Sequence, residues 1–266
     1  MTPVASERNS KNNISTLYEG NSTIEVITVK NPQNNLEKFH RISKTAYVDL
    51  STGEVKQYSR NEKTPQDATI RLRRSMNTLR RLIDLNFNAD STEKFITLTY
   101  SYDNDYSSTT KDFKMFWDRF RKHYQHCGYV KIIEPGKNGR WHIHMLVKSM
   151  DGSLSVSKEW LQSSWTQGFS YVKQIPYRNF GAYFVQKRKW EEAMVYPDTF
   201  RLYTASQNMK RPLPIVTDFS SVWKYVGNCE LVHTSKTVFE ADNKQINSIT
   251  YQLYMKKSNG AKSIGK

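Results

Sequence analysis

Alternating apolar and polar side chains between residues 130 and 147 predict a β-hairpin with two chemically different faces. Pro135 and Gly136, followed by Asn138 and Gly139, provide its turn. Side chains two apart on a strand share a face, so pairing of Glu134 with His142 places His144 on that face as well. The opposite face is an apolar, core-facing set: Ile133, Ile143, Met145 and Val147. The hairpin therefore brings one carboxylate and two imidazoles together.

This ligand set favours a divalent cation. Two nitrogen ligands and one oxygen ligand, with coordination positions left open, suit a hard or borderline ion that also binds substrate oxygens. Paired histidines on a strand can equally be solvated or hydrogen-bonded residues, and the carboxylate opposite them is what favours a metal site. Cys127 and Cys229 lie too far apart for a zinc knuckle, so no structural zinc is expected.

Hydrophobic periodicity predicts the other elements. Apolar residues at helical spacing favour helices, and runs rich in Thr, Val and aromatic residues favour strands. In chain order these are a hairpin over 47–58, a basic helix from 65, a strand over 95–100, a helix over 113–124 closed by Gly128, the polar hairpin, a helix over 160–165, a strand over 171–175 and a helix over 179–192. This order predicts an α+β fold with a central antiparallel sheet and packed helices.

The chain divides into four predicted segments. Residues 1–35 are rich in Asn and Ser and are expected to form a poorly ordered N-terminal arm. Residues 36–90 hold the first hairpin and the basic helix, and residues 91–212 form the domain that carries the polar hairpin. Residues 213–266 form a C-terminal extension with a Lys-rich tail.

The chain is strongly basic, with 40 Lys and Arg against 25 Asp and Glu, a formal net charge of +15. Basic clusters accompanied by 16 Tyr and 6 Trp suit the neutralisation of phosphates and the stacking of unpaired bases. A nucleic-acid partner is therefore favoured over a merely basic surface. The candidate DNA-binding residues are Arg71, Arg73, Arg74, Arg80, Arg188 and Lys189. No apolar run reaches membrane-spanning length, so no membrane partner is expected.

A divalent ion in a basic protein suggests phosphoryl transfer, in which the ion neutralises charge on a scissile phosphate. Tyr183 offers a nucleophile, because it lies four residues before Lys187 on one face of the last predicted helix. A tyrosine hydroxyl can attack phosphorus, and a nearby ammonium can favour its ionised form. The alternative is a tyrosine that packs on the sheet beside a solvated lysine.

Taken in order, these motifs resemble those of the HUH endonucleases, specifically the rolling-circle replication initiators of bacterial plasmids and single-stranded DNA phages. Residues 95–100 resemble the first family motif, a strand of the form apolar-Thr-Leu-Thr. Residues 141–147 resemble the His-hydrophobic-His motif, with Glu134 where the family often places a third ligand. Tyr183 with Lys187 resembles the third, catalytic motif.

The resemblance extends over about residues 65–212 and includes the segments 165–168 and 206–212. It has one departure. Relatives commonly carry Lys three residues after the tyrosine and often a second Tyr four residues after it, where this chain has Gln186 and Lys187. A helix tolerates the shifted lysine, since three and four steps both return to the same face. The second nucleophile of some relatives is absent from this position.

The resemblance implies a ferredoxin-like or RRM-like α+β domain that nicks single-stranded DNA. Tyr183 would attack the origin phosphate and stay joined to the 5′ end, leaving a 3′-hydroxyl primer, with Lys187 assisting. Mg²⁺ or Mn²⁺ would be held by Glu134, His142 and His144. The implied partners are single-stranded origin DNA and a separate host helicase, since the chain has no phosphate-binding Gly-Lys-Ser/Thr loop. The implied location is the bacterial cytoplasm, and residues 91–212 would be the HUH catalytic domain.

Two alternatives stay open. Within the same superfamily, a single-tyrosine transposase or a relaxase uses similar parts, although relaxases usually show three histidines. From a different class, a non-enzymatic single-stranded nucleic-acid-binding protein with an RRM-like sheet needs only the basic and aromatic residues. Covalent attachment to a labelled oligonucleotide distinguishes the enzyme from the binding protein.

Overall fold

The structure is a computed structural model. It describes the following residues: 13–30, 39–43, 45–49, 52–57, 65–136, 139–182, 200–241 and 244–257. They fall into two compact units. The central unit comprises residues 19–22 and 65–212, and the terminal unit comprises the residues before 19, residues 23–64 and those from 213 onward.

The secondary structure is as follows. The strands are β1 (Ile14–Glu19), β2 (Thr23–Lys30), β3 (Phe39–Arg41), β4 (Ala46–Asp49), β5 (Val55–Gln57), β6 (Glu93–Leu98), β7 (Cys127–Pro135), β8 (Trp141–Ser149), β9 (Ser170–Lys173), β10 (Tyr203–Ala205), β11 (Ile215–Asp218), β12 (Cys229–Ala241) and β13 (Lys244–Lys256). The helices are α1 (Pro65–Asn86), α2 (Tyr106–His123), α3 (Lys158–Ser164) and α4 (Trp223–Val226), with a 3₁₀ turn at Phe219–Ser221. Residues 180–182 are also helical.

The central unit is built on a five-stranded sheet in the order β10-β7-β8-β6-β9. Every neighbouring pair in it is antiparallel, and β8 lies in the middle. The predicted α+β class, with a central antiparallel sheet and packed helices, is confirmed.

Helices cover both faces of this sheet, and each face has its own core. Apolar residues of α1 pack with Phe95, Val130, Ile132 and Leu146 on one face. The α1 residues are Met76, Leu79, Leu82 and Ile83. On the other face, α2 and α3 pack against alternate residues of the same strands: Ile96, Leu98, Ile133, Ile143, Met145 and Val147. Alternation along β7 and β8 thus separates two cores, and the polar hairpin face belongs to the α1 side.

The helix expected to begin near 113 begins at Tyr106, because Asp105 accepts a hydrogen bond from the Ser108 amide in a capping box. It ends at His123, and Gly128 lies inside β7 instead of closing the helix. A Cβ on Gly128 would stand only 2.3 Å from Cε of Met209. The glycine therefore permits close packing, which its sequence position alone did not reveal.

The terminal unit contains a five-stranded sheet in the order β11-β1-β2-β13-β12 and a three-stranded sheet in the order β3-β4-β5. Within the expected poorly ordered arm, residues 1–35, the described part is two strands, β1 and β2. Leu17, Ile24 and Val26 are buried with Val226 and Tyr254, so these strands share a core with the C-terminal extension. Local composition did not indicate this pairing, because the partner strands lie about two hundred residues away.

Among the described residues, the helices are all too short or too polar to cross a membrane.

Candidate metal centre

The polar hairpin has the predicted register. In β7 and β8, Glu134 lies opposite His142, and Ile132 lies opposite His144. Oε1 of Glu134 is 3.2 Å from Nε2 of His142 and 3.0 Å from Nε2 of His144. The candidate ligand atoms of the three residues all lie within 4.8 Å of one another. The structure therefore converges one carboxylate and two imidazoles on a single point of the sheet.

The cluster fits a divalent cation. Two ligand atoms about 2.1 Å from one ion, at right angles to each other, are about 3 Å apart, which is the separation found here between carboxylate and imidazole atoms. The side chains keep 21% to 23% of their surface exposed, so open coordination positions can face a substrate. Among the described residues this is the group of His, Cys, Asp and Glu side chains that could hold a metal ion.

Neighbouring side chains fix the orientation of His144. The Thr97 hydroxyl lies 3.0 Å from its Nδ1 atom, on β6 directly across from it. The Phe95 ring stacks on the imidazole at a centroid distance of 5.5 Å and an interplanar angle of 20°. With Nδ1 held by Thr97, Nε2 is the nitrogen that faces Glu134 and is available for a metal. Sequence reasoning had not assigned this part to Thr97, because the β6–β8 pairing is not local.

A second unpredicted residue holds the start of β8. The Asn104 side chain accepts a hydrogen bond from the Trp141 amide at 2.8 Å and donates one to the Trp141 carbonyl at 3.2 Å. Its Nδ2 atom also donates to the Thr109 hydroxyl of α2. Since His142 follows Trp141, this clamp ties the position of one candidate ligand to α2.

The predicted third motif falls at the limit of the described chain. Tyr183, Lys187, Arg188 and Lys189 lie outside the described residues. Immediately before them, Phe180 packs edge-on against Phe95 at 5.6 Å, and Phe95 is the ring that stacks on His144. The helical residues at 180–182 therefore adjoin the apolar floor of the ligand cluster.

The predicted basic residues of α1 differ in their exposure. Arg71, Arg73 and Arg74 are exposed, whereas Arg80 is half-buried. Gly181 packs close to the backbone of Arg80, since a Cβ there would lie 2.9 Å from the Arg80 carbonyl oxygen. Three of the four α1 arginines thus have the exposure that phosphate contacts require.

Exposed aromatic residues continue the polar face on the other side of the cluster. Tyr171 on β9 lies opposite Thr97 and is 57% exposed, and Phe169 just before it is 71% exposed. The Lys173 ammonium lies over the Phe95 ring at 5.2 Å. An aromatic and basic surface therefore adjoins the candidate ligands, as stacking of unpaired bases requires.

Comparison with known proteins bears on the central unit. The sequence model of a family described as Replication-associated protein ORF2 matches residues 93–189, about a third of the chain. The matched range includes the three candidate ligands and Tyr183. A search of curated protein sequences finds no significant match.

Among solved structures, the N-terminal nuclease domain of non-structural protein 1 of minute virus of mice matches at 14% sequence identity. The match covers 83% of this chain and 78% of that chain, with a TM-score of 0.18. That domain is described as having Zn²⁺ coordination in its active-site pocket and a novel mode of DNA recognition at the origin of replication. A TM-score this low supports no argument about the present chain.

Proposed function

We propose that this chain is a replication-initiator endonuclease that nicks single-stranded origin DNA and so starts rolling-circle replication. The observation that carries the proposal is the convergence of Glu134, His142 and His144 within a region that matches the replication-associated family. The formal net charge of +15 suits a polyanionic substrate.

The proposed cation is Mg²⁺ or Mn²⁺, held by Glu134, His142 and His144. When bound, it supplies charge neutralisation at the scissile phosphate. Thr97 keeps the His144 ring turned so that Nε2 points to the site. Glu134 keeps both imidazoles at hydrogen-bonding distance before the ion binds, which reduces the ordering that binding requires.

The proposed nucleophile is the Tyr183 hydroxyl. Its oxygen forms a bond to phosphorus, the bond from phosphorus to the 3′ oxygen breaks, and the phenolic proton is lost as the 3′ oxygen gains one. The product is a 5′-phosphotyrosine and a free 3′-hydroxyl that can prime synthesis. Lys187 would favour the ionised phenol and stabilise charge on the phosphate.

Single-stranded DNA is the proposed substrate form. Tyr171 and Phe169 offer exposed rings on which unpaired bases can stack, and Arg71, Arg73 and Arg74 can neutralise phosphates. Unwinding would come from a separate helicase of a bacterial host, in whose cytoplasm the chain would act.

The test uses labelled single-stranded DNA from the region that flanks the gene for this chain, incubated with Mg²⁺ or Mn²⁺. We expect a covalent protein–DNA adduct that survives denaturing electrophoresis and is lost in excess chelator. His142→Ala should abolish the adduct while retaining DNA binding, because affinity comes mainly from phosphate contacts. Glu134→Ala should weaken it less completely.

The matched control is His233→Ala, since His233 is exposed in the terminal unit and lies outside the ligand cluster. Adduct formation by His142→Ala at the level of His233→Ala would refute the metal assignment. Binding of the DNA with no adduct under any metal condition would instead favour the non-enzymatic binding protein.

A further inference from the structure

A pocket of about 450 Å³ opens on the α2 side of the central sheet. Lys131 on β7 and Thr204 on β10 lie opposite each other in its wall, and the first turns of α2 form the facing side. Lys131 also lies opposite Met145, a residue of the α2 core. The pocket is therefore on the face of the sheet opposite to Glu134, His142 and His144, and that site does not use it.

Lys131 occupies a position where the alternation of β7 calls for an apolar side chain. It is only 5% exposed, and its ammonium stands 4.1 Å from the centre of the Phe113 ring. Burial lowers the pKa of Lys131 to about 7. Among the described residues it forms no ion pair with a carboxylate. A buried cation without an acidic partner is costly, and an anionic ligand would supply the missing charge.

Two further cations line the same pocket. They are Lys111 on α2 and Arg201 just before β10, both exposed, and no Asp or Glu among the described residues lines the pocket with them. The Thr204 hydroxyl oxygen is buried and has no hydrogen-bond partner among the described residues. It approaches the Tyr129 phenol without completing hydrogen-bond geometry. The pocket thus combines three positive side chains with an unused polar group.

We infer that this pocket binds the phosphate group of a nucleotide, through Lys131, Lys111 and Arg201. Three cations around one concave space exceed what a single carboxylate neutralises and match a phosphate ester. The volume is that of a small-molecule site and leaves room for the sugar and base beside the phosphate. The Tyr106 ring in the pocket wall offers these groups an apolar contact.

A phosphate ester could come from a DNA strand or from a free nucleotide, and the experiment separates the two. Calorimetric titrations of the full chain use inorganic phosphate, deoxythymidine monophosphate and a short deoxythymidine oligonucleotide with or without a 5′-phosphate. All are performed in excess chelator, so that a metal at Glu134, His142 and His144 cannot contribute. The result is therefore independent of whether the chain nicks DNA.

We expect Lys131→Met to weaken binding of the monophosphate at least tenfold, because it removes one charge-assisted contact while keeping the volume of the side chain. Lys114→Met is the matched control, since Lys114 is an exposed lysine of α2 that does not line the pocket. Arg201→Gln is a second variant at an exposed position, and it decides the matter if Lys131→Met lowers the unfolding temperature.

Two outcomes support the inference. Loss of monophosphate binding alone in the variants identifies a free nucleotide, and a parallel loss of the advantage of the 5′-phosphorylated oligonucleotide identifies a DNA end. The inference is overturned if none of these anions binds the wild-type chain. It is also overturned if Lys131→Met and Arg201→Gln bind them as well as Lys114→Met.

Discussion

The contact between Thr97 and His144 provides a sensitive test of the candidate metal centre. Thr97→Val removes the hydroxyl that lies 3.0 Å from Nδ1 of His144 and leaves a side chain of similar shape. Valine suits a strand position, so β6 should keep its pairing with β8. The substitution therefore acts on the orientation and basicity of one imidazole while leaving all three candidate ligands in place.

The expected magnitude follows from the role of such a contact. Removing a hydrogen-bond partner of a metal-ligating histidine lowers metal affinity by roughly 10- to 100-fold. The Thr97 hydroxyl is a neutral partner, and the stacked Phe95 ring still restrains the imidazole, so the lower end applies. We expect a loss of about tenfold in affinity for Mn²⁺, which corresponds to about 1.4 kcal/mol.

Calorimetric titration with Mn²⁺ measures this directly, and Thr99→Val is the matched control. Thr99 is two residues further along, and its hydroxyl donates to the Phe169 carbonyl instead of contacting a histidine. We expect Thr99→Val to bind Mn²⁺ like the wild type. Equal affinities for Thr97→Val and Thr99→Val, with both proteins folded, would show that Nε2 of His144 does not ligate the ion.

Three further predictions test other parts of the structure. Burial lowers the pKa of Lys131 from 10.5 to about 7, so the unfolded chain binds more protons in this range and stability should rise with pH from about 7 to 10. Urea unfolding at several pH values should show that Lys131→Met removes a contribution of up to about 1.4 kcal/mol per pH unit, and an unchanged slope would refute the pKa. Tyr171→Ala should weaken single-stranded DNA binding by about 1–3 kcal/mol in fluorescence titrations, and full affinity would remove Tyr171 from the stacking surface. Replacing Arg73 and Arg74 by Gln should reduce the salt dependence of binding by about 0.7 per arginine in the log–log slope, whereas an unchanged slope would show that they do not contact phosphates.

Features set by local sequence were predictable. The register of Glu134 with His142 followed from the turn residues and the alternation on either side of them, and the structure confirms it. Turn chemistry acts over a few residues, so one sequence is sufficient to read it. The same reasoning gave the central antiparallel sheet, because the order of helices and strands restricts the topologies that can form.

Features set by contacts between distant residues were not predictable. Thr97 meets His144 only once β6 pairs with β8, and Asn104 clamps Trp141 across a separation of 37 residues. The strand β2 pairs with β13, so an Asn- and Ser-rich segment became part of a sheet. Lys131 is buried by α2 and β10, and its position on β7 did not indicate a pocket. The role of Tyr183 stays a prediction.

The most direct test of the proposed function identifies the residue that becomes joined to DNA. The adduct formed with single-stranded origin DNA and Mn²⁺ is digested with protease, and mass spectrometry locates the nucleotide-bearing residue. The proposal predicts a nucleotide on Tyr183, and loss of the adduct in Tyr183→Phe with the fold and DNA binding retained. A nucleotide on Tyr171, Tyr177 or Tyr203, or an adduct that persists in Tyr183→Phe, would contradict it.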